Sequence, residues 1–174
     1  MIHGDPTLEE CLELLQARTG RGFVEISQAI AQVEERYVAA KDYPSAQSFL
    51  EIQSIAQAGF QRWVDRAIAD LCVLLSAGSL NRKTVSGMAT DELGEFAGKI
   101  KDATRAEAFR DVVHPQSISA ERRKFAELLT AKLRRFEIGG PELPKVKIEE
   151  TRAGAPGSHI LARRHRQNGS CQVN

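Results

Sequence analysis

SAQSFLEIQSIAQAGFQRWVDRAIADLCVLLSA, residues 45–77, decides the fold class. Phe49, Ile52, Ala56, Phe60, Trp63, Ala67, Leu71 and Leu74 recur by alternating steps of three and four. That is the spacing of one face of an α-helix, and no strand produces it. Unbroken, the segment makes a rod of roughly 50 Å at about 1.5 Å per residue. Gly59 lies inside it and is the expected bend, because glycine costs a helix about 1 kcal/mol relative to alanine.

The same periodicity extends in both directions. Upstream, Leu8, Cys11, Leu12 and Leu15 form a stripe that Asp5-Pro6 starts and Gly20 with Gly22 should stop. Ile26, Ile30, Val33, Tyr37 and Ala40 form a second, closing near Pro44. Downstream, Leu93, Phe96, Ala97 and Ile100 form a fourth. A short fifth holds Ala106, Phe109, Val112 and Val113 and stops at Pro115. Phe125, Leu128, Leu129, Leu133 and Phe136 form a sixth, with Ser119 as the expected N-cap and Gly139-Gly140-Pro141 as its stop.

No useful strand-like alternation precedes residue 140. The reading is all-α: a bundle of five to six helices over 5–138, since each apolar stripe must be buried on another. Residues 139–174 read as an extended or disordered C-terminal tail, rich in proline and poor in large apolar residues. Its one strand-like piece is KVKIEE, 145–150.

The chain of 174 residues is long enough for one sizeable core. Net charge is +1, but it is unevenly spread. Residues 1–118 carry 12 Lys+Arg against 17 Asp+Glu, net −5, and residues 119–174 carry 12 against 6, net +6. Attraction to phosphate or to an acidic partner therefore belongs to the C-terminal part. Cys11, Cys72 and Cys171 are few, odd in number and far apart, which argues against a disulfide framework. The N-terminus lacks the pattern of a signal peptide, and no apolar run is long enough to span a bilayer. A cytoplasmic location is expected.

Motifs for catalysis are missing. His3, His114, His159 and His165 have no metal-ligand spacing on a helix, and no phosphate loop, nucleophile elbow or H-E-x-x-H pair occurs. The reading is a non-enzyme with no cofactor, no metal and no small-molecule substrate.

Three stretches bear on partners. LLSAGSLNRKTVSGMA (74–89) resembles the turn and reading helix of a helix-turn-helix DNA-binding motif, with Asn81, Arg82, Lys83, Thr84 and Ser86 expected on its exposed face. VAAKDYPSAQSFLE (38–51) looks like the corner of a tetratricopeptide-type hairpin, but no second copy follows. The last stripe carries Arg122, Arg123, Lys124, Lys132, Arg134 and Arg135, and the tail adds Arg163, Arg164 and Arg166. Cys171 stands where a prenylated cysteine would, although Gln172 and Asn174 depart from that pattern.

The expected role is a protein–protein interaction or assembly subunit, binding another protein or copies of itself. The contact residues expected are Arg82, Lys83, Arg122, Arg123, Arg134, Arg135, Arg163, Arg164 and Arg166. The alternative is a nucleic-acid-binding regulator using 74–89 and the basic C-terminal half. A third reading is a peripheral membrane protein lipidated at Cys171.

Overall fold

Thr7 opens the first helix with a reciprocal cap. Its hydroxyl accepts from Glu10 N at 3.1 Å, and Glu10 Oε2 accepts from Thr7 N at 2.7 Å. A computed structural model of the chain describes residues 6–76 and 78–139. Among these, α1 spans Leu8–Ala39, α2 Ala46–Ser76, α3 Arg82–Ala103 and α4 Pro115–Glu137, with one 3-10 turn at Ala106–Phe109. Every regular element among the described residues is helical. The described residues belong to one unit, Met1–Leu143.

The all-α reading holds, but the described residues contain four α-helices rather than five or six. The first two expected stripes are one helix, because Gly20 and Gly22 do not stop it. Gly22 is buried: a Cβ there would lie 2.8 Å from Trp63 Cγ and 3.0 Å from Phe96 Cζ. Gly59 does not interrupt α2 either, and a Cβ there would lie 2.6 Å from Ile26 Cγ1. Each glycine lets a large side chain of the facing helix come down onto its backbone.

The fifth stripe is too short to hold an α-helix and buries only Ala106 and Phe109 in the 3-10 turn. Pro115, expected as its stop, instead takes the first turn of α4, where its missing N–H costs nothing. The N-cap of α4 is His114 rather than Ser119: His114 Nδ1 accepts from Gln116 N at 3.2 Å. Gly139 follows α4 with φ +66°, a conformation glycine adopts freely.

Pairings along the helices give the topology. Arg18 meets Asp70, Gly22 meets Trp63, Ile26 meets Gly59, and Arg36 meets Glu51, so α1 and α2 form an antiparallel hairpin. Arg82 meets Phe136 and Glu107 meets Arg122, so α3 and α4 form another. Between hairpins the neighbours are parallel: Thr19 of α1 with Glu92 of α3, and Gln57 and Asp65 of α2 with Glu121 and Lys132 of α4. The link from α2 to α3 thus crosses the bundle diagonally. Phe60 is at the centre, its ring centroid 5.3 Å from both Phe96 and Phe125. Phe60 and Trp63 are both buried, so they belong to the core.

Candidate interaction surface

Antiparallel packing of α3 on α4 brings the first turn of α3 to the last turn of α4. Arg82 Nη1 donates to Phe136 O at 3.4 Å, and its guanidinium lies over the Phe136 ring, 5.8 Å from the centroid. Gly139 N donates to the same carbonyl at 3.2 Å. The carbonyl end of α4 is the negative end of its dipole, so an arginine is stabilised there. Arg134 and Arg135 stand exposed in that last turn. Lys83 is exposed in the first turn of α3, which holds no acidic residue. Four cations far apart in sequence thus share one end of the bundle. Lys83, Arg134 and Arg135 form no ion pair among the described residues.

The rest of α4 is more neutral than its sequence suggests. Arg122 lies 3.5 Å from Glu107, Lys124 2.6 Å from Glu121, and Lys132 2.5 Å from Asp65. Of the basic residues expected there, Arg123, Arg134 and Arg135 have no ion pair among the described residues. The structure therefore places Arg82, Lys83, Arg134 and Arg135 at one end of the bundle, leaves Arg123 alone on the helix surface, and ties Arg122 into an intramolecular pair. Arg163, Arg164, Arg166 and Cys171 lie outside the described residues, as do KVKIEE and the rest of 140–174.

The helix-turn-helix resemblance keeps its helix start and loses much of its reading face. Asn81 Oδ1 accepts from Lys83 N at 2.8 Å and so acts as the N-cap of α3. Arg82 is turned onto Phe136. Ser86, expected outside, is only 6% exposed. Lys83 and Thr84 remain free to face a ligand.

The outer side of α4 also holds what the basic residues alone do not reveal. An open hollow of about 620 Å³ runs along it, lined by Ala126, Glu127, Thr130, Ala131, Arg134, Arg135 and Ile138. Its floor is small and largely apolar. Ile138 is 73% exposed, the most exposed large apolar side chain among the described residues. The sequence signal for it was an isoleucine off the buried stripe Phe125–Leu129–Leu133–Phe136, next to small residues at 126, 130 and 131.

A second hollow, about 390 Å³, lies between α1 and α3 at Thr19, Gly20, Glu92 and Glu95. Four of its polar side chains pair with one another: Thr19 Oγ1 donates to Glu92 Oε1 at 2.9 Å, and Lys99 Nζ pairs with Glu95 at 2.8 Å. The Glu95 hydrogen bond raises the Lys99 pKa above its ordinary value. Among the described residues no three His, Cys, Asp or Glu side chains group to hold a metal ion. No helix among them is long and apolar enough to cross a membrane.

No protein-family model, curated protein or solved structure matches this chain.

Proposed function

We propose that the protein is a non-enzymatic interaction or assembly subunit whose helical body presents the outer side of α4 to another protein. The observation that carries this reading is the hollow on α4 with Ile138 at its end. An apolar side chain held out at 73% exposure beside a small-residue floor is poorly matched to water and well matched to a partner. The other side of the same helix is committed to the core through Phe125, Leu129, Leu133 and Phe136.

The test is a photo-crosslinking residue placed at Thr130 of the full chain in its source cells, with Asp91 on the exposed side of α3 as control. A discrete crosslinked species from position 130, absent from position 91, is expected. Equal labelling, or none at 130, counts against the reading. Sedimentation of the purified chain over a range of concentrations then separates copies of itself from a different protein.

A second reading has its own observation. The cluster of Arg82, Lys83, Arg134 and Arg135 suits nucleic-acid phosphates. If it binds them, affinity for duplex DNA falls with salt at a logarithmic slope of roughly −3 to −4, near −0.9 per phosphate. Alanine at Arg82 and Lys83 should flatten that slope. Binding with no salt dependence would discard this alternative. Lipidation of Cys171, the third reading, is tested by mass spectrometry of the C-terminus from native cells.

A further inference from the structure

The hollow on α4 has a chemistry that selects among occupants. Resting on the interaction reading above, we infer that it receives an acidic amphipathic helix of a partner protein. Ala126, Thr130 and Ala131 keep the floor low, so a second helix axis can approach to about 8–10 Å. Ile138 offers an apolar contact at one end. Arg134 and Arg135 line the same hollow, both exposed and both without an ion pair among the described residues. A guanidinium is a planar fork that takes a carboxylate through two parallel hydrogen bonds. Arg123 stands exposed further up the same helix. The basic residues that border the body are already paired, so the free positive charge of α4 is confined to this outer side.

Two competitors fit less well. A nucleic-acid backbone gains nothing from an apolar floor; Glu127 in the lining disfavours phosphate and carboxylate alike, so the choice rests on the floor. Two copies of α4 meeting face to face in antiparallel fashion would bring Arg134 and Arg135 towards Arg123, with like charges opposed. A helix with leucines on one side and carboxylates along its edges satisfies floor and rim together.

The experiment uses the full chain and a fluorescein-labelled peptide of about 18 residues, long enough to hold a helix, with leucine on one face and glutamate on the other. Controls are the same peptide with lysine for glutamate and a labelled DNA duplex. Fluorescence anisotropy should show binding of the acidic peptide alone. Arg134→Glu with Arg135→Glu should weaken it by roughly tenfold or more, since two attractive pairs become repulsive. Arg134→Lys with Arg135→Lys should cost less, about threefold, by keeping charge and losing the forks. Thr130→Trp should block binding by filling the floor. All these positions are exposed, and circular dichroism checks that each variant keeps its helices.

The inference is overturned if the acidic peptide fails to bind, if charge reversal leaves its affinity unchanged, or if the lysine peptide binds equally. Duplex DNA displacing the peptide also overturns it and hands the surface to the nucleic-acid reading. These failures stay separate from failure of the interaction reading. A crosslinked partner whose contacting segment is not acidic leaves that reading intact, whereas no crosslink at 130 removes it.

Discussion

At Gly22 a methyl group has nowhere to go. Trp63 Cγ would stand 2.8 Å from it, and at Gly59 the Ile26 side chain would stand 2.6 Å away. Gly22→Ala or Gly59→Ala should therefore destabilise the protein by about 1–3 kcal/mol through overpacking, although alanine is the better helix former. Gly87 and Gly94 of α3 have nothing within 4 Å of a Cβ. Alanine at either should stabilise by about 0.5–1 kcal/mol. Urea denaturation of the four variants checks the opposite signs, and a destabilised Gly94→Ala would refute this account of α3. Gln53 is a different case. It is 2% exposed, and neither amide atom has a hydrogen-bond partner among the described residues. Burying such a group costs about 1–3 kcal/mol. Gln53→Met, similar in volume and without that cost, should raise the denaturation midpoint; a lower midpoint would mean that the amide is satisfied.

Between elements, the α1–α2 hairpin is fixed in register by paired charges and held by its apolar seam. Arg18–Asp70, Arg62–Glu25 and Arg36–Glu51 are partly exposed, so each is worth at most about 1 kcal/mol. At the corner of this hairpin, two phenols meet two carboxylates. Tyr37 Oη donates to Glu51 Oε2 at 2.9 Å, and Tyr43 Oη to Glu34 Oε1 at 3.1 Å. Partial burial first, and then these carboxylates, raise both phenols above 10.0. A raised folded-state pKa means that the stabilisation is present below pH 10 and is lost as pH rises through the folded value. The chain has only Tyr37 and Tyr43, so phenolate absorbance reports both. Both should titrate above 10.0 when folded and near 10.0 in urea. Glu51→Gln should bring one of them part of the way back; no change would mean that Glu51 does not act on Tyr37.

On the scale of the molecule, the short connection from α3 to α4 makes these helices antiparallel, and so brings the first turn of α3, with Arg82 and Lys83, to the end of the bundle that holds Arg134 and Arg135. The diagonal crossing from α2 to α3 sets α1 beside α3 and α2 beside α4. The buried core runs from Cys11 to Phe136, and its central rings Phe60, Phe96 and Phe125 come from α2, α3 and α4. A chain cut after Gly139 should therefore keep its far-ultraviolet dichroism and a melting temperature within about 4 °C, the equivalent of ~1 kcal/mol in a domain of this size. A larger fall would show that residues 140–174 take part in holding the core.

Spacing of apolar residues determined that the described chain is helical, most of the stripe that α2 and α4 bury, where α2 lies and where α4 ends, because each helix must carry its own stripe. It also showed the basic run on α4. Only the tertiary structure decided the rest. Gly22 looks the same in sequence whether it ends a helix or seats Trp63, since the difference lies in a neighbour 41 residues away. Arg122 and Arg134 look alike until Glu107 takes one and nothing among the described residues takes the other. A charge is free or spent according to what folding brings against it, and that depends on the packing of distant segments, which no local pattern records.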